Sequence, residues 1–223
     1  MNSRKIQLLI ILSIFVISAC GGGNGREENP QIGDLEAVVR PEKTIANLKT
    51  AITNESNASA KYKVLALKAE REGYKNIAKM FEAASFAEHA HASFQSVLLN
   101  MLSVQFLPET EIPVIHSNMK ANIEDIIQTQ TMEFSNVYPS MIEDAKAESI
   151  DQAILSFTFA TEAKKKHVEL YEQALVAFAK KNNDKTVSNQ WYVCFRCGCL
   201  FNDILDVDAC TICGEVKGNF RKF

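Results

Sequence analysis

Two pairs of cysteines near the C-terminus have the spacing of a metal site. Cys194 and Cys197 form one Cys-x-x-Cys turn, and Cys210 and Cys213 form a second. Each turn directs two thiolates to a common point, and two such turns close a tetrahedral four-sulfur site for iron or zinc. A domain of about 33 residues is too small to hold a core by burial alone, so it needs the metal to fold. Two disulfides in an oxidising compartment are the alternative, and they would leave Cys199 over.

A second set of metal-ligating residues lies in the helical part of the chain. Glu88 and His91 are three residues apart, so on a helix they share one face. Glu55 lies in the helical segment before them, in a stretch of small and polar residues. Carboxylates neutralise and bridge metal cations, and an imidazole binds one from the side.

This part of the chain contains an internal repeat. With an offset of 76 residues, Tyr62, Glu88 and His91 recur as Tyr138, Lys164 and His167, whereas further upstream an offset of 75 pairs Glu55 with Gln130. A duplicated helix pair packs about a pseudo-two-fold axis. We therefore expect the acids and imidazoles of both halves to face one another in the interior.

The elements that position these residues are predicted to be four long helices, at 42–72, 74–103, 115–146 and 149–182, with breaks at Gly73, between Pro108 and Pro113, and near Ser149. Long helices with short connections form an antiparallel four-helix bundle, here with a longer crossover in the middle. The predicted fold class is mainly α, with the bundle over residues 41–184 and the four-cysteine domain over 188–223.

One Glu from each of two helices, with Glu-x-x-His from each of the other two, is the di-iron carboxylate pattern of ferritin-like bundles. The wider sequence resembles rubrerythrin from residue 42 to 223. The segments that carry the resemblance are 47–56, 69–78, 81–91, 138–139 and 167–171, together with the cysteine domain, which is similar to rubredoxin.

The resemblance implies a ferritin-like bundle, usually dimeric, that reduces hydrogen peroxide at a non-haem di-iron centre with electrons from the four-cysteine site. It implies that Glu55 is a terminal ligand, that Glu88 bridges two metals and that His167 binds the second metal. His91 and Glu133 would exchange as ligands when the iron changes oxidation state. The tyrosines expected to donate hydrogen bonds to these ligands are Tyr62 and Tyr138.

Two carboxylates of the family pattern are missing from this chain. Gln130 stands where the second half should match Glu55, and Lys164 stands where it should match Glu88. An ammonium within a few ångström of a divalent cation is strongly repelled in a low-dielectric core. Three arrangements remain: a single metal on the surviving ligands, Lys164 replacing the second cation by pairing with Glu88 or Glu133, or two irons with altered ligation. We prefer the first two together, and expect one or two non-haem irons in the bundle.

The N-terminus has the pattern of a bacterial lipoprotein. Two basic residues precede an apolar run that is shorter than the ~20 residues of a membrane span, and small residues then precede Cys20. The pattern predicts a signal peptide at 1–19, acylation of Cys20 and a Gly-rich linker at 20–40. It predicts an exported protein anchored in the lipid bilayer of a bacterial membrane, on the periplasmic side of the inner or outer membrane or at the cell surface.

The formal net charge of −3 and the pI near 5.9 provide no basic face for nucleic acid. The sequence also lacks a Gly-rich phosphate loop and a Cys/His nucleophile pair in a recognisable context.

Two functions are therefore considered: a rubrerythrin-like redox protein that reduces peroxide or transfers electrons in oxidative-stress defence, and a non-catalytic metal-binding or interaction lipoprotein that has lost the di-iron centre. The partners expected are the bilayer and a second copy of the chain, with a redox partner that the sequence does not identify.

Overall fold

The helices of the chain form where apolar residues recur at helical spacing. In the first helix, Ile45, Leu48, Ile52, Tyr62 and Leu65 are all buried along one face. The structure, a computed structural model, describes residues 40–181, 184–202, 204 and 207–223. The predicted signal peptide, Cys20 and the linker up to residue 39 lie outside the described residues.

The bundle is built from α1 (Glu42–Arg71), α2 (Lys75–Met101), α3 (Met119–Met132), a π-helical turn (Glu133–Val137), α4 (Tyr138–Ala147) and α5 (Asp151–Lys181). Helix α1 packs along α2, and the rod formed by α3, the π turn and α4 packs along α5. The predicted fold class is confirmed. None of the described helices is both long and apolar enough to cross a membrane.

The two tight turns of the bundle occupy equivalent positions in the internal repeat. Gly73 ends α1 with φ +84°, and Ser149, 76 residues later, lies between α4 and α5 with φ +57°. A left-handed residue after a helix is the usual way to reverse the chain, and glycine adopts it without steric cost. The duplication has therefore kept the left-handed turn at Ser149, where the residue is not glycine.

The third predicted helix differs from expectation in two ways. It begins at Met119 rather than at residue 115, because the Asn118 side chain accepts a hydrogen bond from the Lys120 amide at 2.8 Å and caps the helix there. It is also interrupted by the π turn at Glu133–Val137. A π turn inserts one extra residue into a helix, and such insertions are frequent at functional sites.

The C-terminal domain is a small antiparallel sheet formed by β1 (Tyr192–Cys194), β2 (Leu200–Phe201) and β3 (Phe220–Lys222), in the order β2-β1-β3. A short 3₁₀ helix (Lys217–Asn219) precedes β3. Trp191, Val193 and Leu200 belong to the same hydrophobic cluster as the buried residues of α2 and α5. The domain is thus packed directly against the bundle.

Candidate metal centres

The four cysteines of the C-terminal domain bring their sulfur atoms together. In each turn, the glycine after the second cysteine donates its N–H to the carbonyl of the first at 2.9 Å. The Sγ atoms of Cys194 and Cys213 lie 3.5 Å apart, those of Cys197 and Cys210 lie 3.4 Å apart, and all four lie within 4.8 Å of one another. Sulfurs placed tetrahedrally about 2.3 Å from a metal are about 3.8 Å apart, so this set fits one iron or zinc ion.

The first cysteine turn contacts two histidines of the bundle, His91 and His167. His91 Nε2 lies 2.9 Å from the carbonyl oxygen of Cys197, and His167 Nε2 lies 3.0 Å from that of Gly198. The Leu200 N–H lies 3.2 Å from the same nitrogen, which therefore either donates to Gly198 or accepts from Leu200, depending on the tautomer. The imidazoles of α2 and α5 therefore hold the backbone of the four-cysteine site against the bundle.

Gly198 is required at this contact for two reasons. Its φ is +70°, and a Cβ built on it would lie 2.3 Å from His91 Nε2. Neither the close approach nor the left-handed backbone tolerates a side chain. The spacing of the cysteines and histidines in the sequence did not predict the contact between Gly198 and His91, because this contact depends on how the two domains pack. Its one local signal is the glycine that follows the Cys-x-x-Cys turn.

In the bundle, the predicted site residues meet in one cluster, which we call the carboxylate cluster. Its members are buried except for Glu133, which is partly exposed. Helix α1 supplies Glu55, α2 supplies Glu88 and His91, the π turn supplies Glu133, and α5 supplies Lys164 and His167. Ligand atoms of Glu55, Glu88 and His91 lie within 4.8 Å of one another. His167 lies at the edge of the cluster, with its Nδ1 3.9 Å from Glu88 Oε1 and without a hydrogen-bond partner among the described residues.

Lys164 occupies the centre of the carboxylate cluster. Its ammonium nitrogen lies 3.1 Å from Glu55 Oε2, 3.2 Å from Glu88 Oε2 and 2.9 Å from Glu133 Oε2, and its side chain is fully buried. Lys164 donates hydrogen bonds to Glu55 and Glu88, and its contact with Glu133 is an ion pair.

The second oxygens of Glu55 and Glu88 also receive hydrogen bonds. The Tyr138 hydroxyl donates to Glu55 Oε1. Gln130 donates from its amide nitrogen to Glu88 Oε1 at 2.6 Å, and the same nitrogen lies 3.1 Å from the Tyr62 hydroxyl. Gln130 therefore acts as a hydrogen-bond donor at the position where the family pattern has a carboxylate.

The π turn explains why the internal repeat has two offsets. Gln130 pairs with Glu55 at an offset of 75, and Tyr138 pairs with Tyr62 at an offset of 76. The extra residue in the second half must lie between positions 130 and 138, which is where the π turn is found. The turn carries Glu133 at its first position, and Glu133 contacts Lys164.

Burial and the neighbouring charges together determine the protonation of Lys164, Glu55 and Glu88. Burial lowers the pKa of the Lys164 ammonium, but the charges of Glu133, Glu55 and Glu88 outweigh burial and hold the pKa well above its ordinary value. Burial raises the pKa of Glu55, yet the charge of Lys164 and the hydrogen bonds of Glu55 with Glu88 and His91 bring this pKa well below its ordinary value. Burial raises the pKa of Glu88 to about 7, against the attraction of Lys164. Lys164 is therefore charged at neutral pH.

The two histidines differ in their pKa. Burial lowers the pKa of His91, but the hydrogen bonds and charges of Glu55 and Glu88 overcome this effect and raise it to about 10. For His167, burial and the charges of His91 and Lys164 act together and lower the pKa well below its ordinary value. One imidazole is thus cationic and the other neutral.

Two metal ions do not fit this set of residues. The converging atoms of Glu55, Glu88 and His91 are compatible with one ion, but Lys164 lies among the carboxylates that a second ion would need. A divalent ion 4 Å from the ammonium would be repelled by about 8 kcal/mol at an effective dielectric constant of about 20. The four-cysteine site has no such conflict.

With this geometry established, similarity to known proteins decides the family. The rubrerythrin family model matches residues 46–175, which is more than half of the chain. The chain belongs to the rubrerythrin family. Its resemblance to rubrerythrin, inferred from the sequence, is confirmed, and it is a rubrerythrin-like iron redox protein with a ferritin-like bundle and a rubredoxin-like domain.

Individual relatives cover most of this rubrerythrin-family chain. Rubrerythrin-2 of Clostridium acetobutylicum is 29% identical over 179 residues, which are 79% of this chain and 94% of the relative. Nigerythrin of Nitratidesulfovibrio vulgaris is 29% identical over 180 residues, or 81% of this chain and 86% of nigerythrin. The structure of fully reduced, all-ferrous nigerythrin superposes with a TM-score of 0.73 at 29% identity, covering 81% of this chain and 86% of nigerythrin.

Proposed function

We propose that this protein transfers electrons through an iron ion held by its four cysteines, at an exported membrane surface, as part of the defence against oxidants. The observation that carries the proposal is the convergence of the four Sγ atoms within 4.8 Å in a chain of the rubrerythrin family. Iron bound there supplies a one-electron couple, whereas zinc has no redox chemistry.

The four cysteines are buried to different degrees, and this difference determines from which side the metal site can be reached. The thiols of Cys194, Cys197 and Cys210 are buried, and that of Cys213 is half-buried. The side of Cys197 is closed off by His91. We therefore expect an external redox partner to exchange electrons at the edge formed by Cys213, and the apolar surroundings of the other sulfurs to exclude water from the site.

A hydrogen-bonded contact also connects the cysteine site with the bundle. The carbonyl of Cys197, a metal-ligating residue, lies 2.9 Å from His91 Nε2, and His91 Nδ1 lies 3.1 Å from Glu88 Oε2. His91 donates to both, because a carbonyl and a carboxylate oxygen are acceptors. Through His91, the charge of Glu88 in the bundle therefore acts on the backbone carbonyl of Cys197, next to the four-cysteine site.

The proposal includes the cellular site and the assembly predicted from the sequence. Acylated Cys20 would anchor the protein in a bacterial membrane on the exported side, and the chain would form a homodimer. Replacement of Cys20 by serine should release the protein from membranes and remove the acyl mass from its N-terminal peptide. Membrane retention of that variant without acylation would contradict the anchor.

The experiment for the electron-transfer function is a redox titration of the purified full-length chain loaded with iron. We expect a visible sulfur-to-iron absorption that disappears on one-electron reduction and returns on oxidation, and that is absent from Cys210→Ser. Peroxide sensitivity of a deletion strain should be corrected by the wild-type chain but not by Cys210→Ser. A cysteine site that takes only zinc, or that forms disulfides when isolated from its native compartment, would overturn the proposal.

A second candidate function is favoured by one observation, the position of Lys164 among three carboxylates. This second candidate function is that of a non-catalytic metal-binding or interaction lipoprotein. The two candidates differ in whether the cysteine site cycles between oxidation states. Peroxide reduction at a di-iron centre in the bundle would require Lys164 to leave the cluster, and steady-state peroxide turnover by the wild-type bundle would show that it does.

A further inference from the structure

We propose that the bundle of this rubrerythrin-family chain binds no metal ion, and that Lys164 is a built-in cation that takes the place of the metal. This inference goes beyond the proposed function, because it concerns the bundle and not the four-cysteine site. It follows from the disagreement between the family's di-iron pattern and the residues that this chain places in the cluster.

The first step is the geometry around the Lys164 nitrogen. Distances of 2.9 to 3.2 Å join it to one oxygen each of Glu55, Glu88 and Glu133. These carboxylates come from three different elements, α1, α2 and the π turn. A single cationic nitrogen therefore contacts carboxylates from three elements of the bundle, as a bridging metal ion would.

The second step is that donors from the protein already occupy the oxygens a metal would need. Glu55 receives hydrogen bonds from Lys164 and Tyr138, one on each oxygen. Glu88 receives Gln130 on Oε1 and Lys164 on Oε2. A buried polar network is stable when its members are paired, and these four carboxylate oxygens are paired without a metal. Among the described residues of the cluster, His167 Nδ1 and Gln130 Oε1 have no hydrogen-bond partner.

The third step concerns the nitrogen through which His91 would bind a metal in the cluster. Its Nδ1 faces a carboxylate oxygen of Glu88 at 3.1 Å, and its Nε2 faces the carbonyl of Cys197 at 2.9 Å. Both nitrogens of the ring therefore already have hydrogen-bond partners in the protein. A metal ion at Nδ1 would have to displace Glu88 from the ring.

The fourth step is the repulsion between Lys164 and a metal ion. The Lys164 nitrogen lies within 3.2 Å of an oxygen of each of the three carboxylates. A divalent ion bound to any of these carboxylates would therefore stand beside an existing cation in a buried site, where charges of the same sign repel strongly.

The test is a count of bundle iron in the purified full-length chain. The cysteine site is first filled with zinc, and the chain is then equilibrated anaerobically with Fe²⁺ and washed, after which zinc and iron are both measured. We expect the wild type to keep its zinc and to retain no iron. Retention of one or more irons with full zinc would overturn the proposal.

The matched variants are the double substitution Lys164→Glu with Gln130→Glu, and Lys165→Glu as the control. Lys165 is the next residue on α5, but its side chain is 46% exposed and its ion pair with Glu162 lies on the surface. We expect the double variant to take up iron and its melting temperature to rise with Fe²⁺, because a ligand that binds only the folded state stabilises it. The control should behave like the wild type.

Each outcome of these measurements bears on the proposal. A double variant that folds without taking up iron would contradict the role of Lys164 and Gln130 in excluding metal. If the double variant does not fold, the wild-type count still decides. Failure of the proposed electron transfer would show itself separately, as a redox-inactive cysteine site, and would leave the iron count of the bundle unchanged.

Discussion

Lys164 Nζ lies 3.2 Å from Glu88 Oε2, and the two residues occupy equivalent positions in the two halves of the internal repeat. A repeat that kept glutamate in both halves would place two like charges here, and two carboxylates at this distance need a metal or a shared proton between them. With lysine in the second half, the two halves meet as a buried ion pair.

Replacing Lys164 by methionine should destabilise the bundle strongly. The side chain keeps a similar length, but the three carboxylates lose their common cation and remain buried, and breaking a buried ion pair by removing one partner costs about 3–5 kcal/mol. Denaturant unfolding followed by the helical circular-dichroism signal measures this loss.

The control for this variant is Lys165→Met, which removes the same charge from the surface of the same helix. Surface substitutions of this kind change stability by less than about 0.5 kcal/mol. If Lys164→Met and Lys165→Met lost the same small amount, Lys164 would not be holding the carboxylates together.

Replacing Gly198 by alanine should separate the four-cysteine domain from the bundle. The new Cβ would lie 2.3 Å from His91 Nε2, and the residue would keep a φ of +70°. Limited proteolysis between the domains should become faster, with a loss of about 1–3 kcal/mol from the clash in addition to the cost of the backbone.

Gly214→Ala separates these two costs. Gly214 has nearly the same φ, +72°, but has nothing within 4 Å of its Cβ position. It should therefore show only the backbone cost of about 1–2 kcal/mol. Equal effects of the two alanine substitutions would mean that the contact of Gly198 with His91 contributes nothing to docking.

Removal of the metal from the cysteine site should unfold the C-terminal domain and leave the bundle folded. Trp191 is the single tryptophan of the chain, and it is buried in the hydrophobic cluster shared with the bundle. Its fluorescence should shift to the red when a strong chelator is added, because a small metal domain folds only with its metal. The helical signal should remain. An unshifted emission after complete metal removal would contradict the structural role of the metal.

The sequence predicted a large part of the fold and of the cluster. The apolar spacing and the left-handed Gly73 turn define the helix pairs. The recurrence of Glu88 and His91 as Lys164 and His167 indicated that these residues face each other. The change of offset from 75 to 76 also contains a signal for the π turn, because it requires one extra residue in the second half of the repeat.

Two features depend on tertiary packing, which the sequence does not specify. The sequence left three arrangements open, one of which pairs Lys164 with Glu88 or Glu133. Only the positions of the carboxylates in three dimensions show that Lys164 points inward and contacts Glu55 as well. The contact between His91 and Cys197 joins residues 106 positions apart. No local pattern encodes such a contact.

The most direct test of the account is a crystal structure of the iron-loaded full-length chain, with anomalous data collected at the iron absorption edge. We expect one iron peak per chain, at the centre of the Cys194, Cys197, Cys210 and Cys213 sulfurs, and the Lys164 nitrogen in contact with the three carboxylates. A second iron peak among Glu55, Glu88 and His91, with Lys164 turned away, would contradict the account.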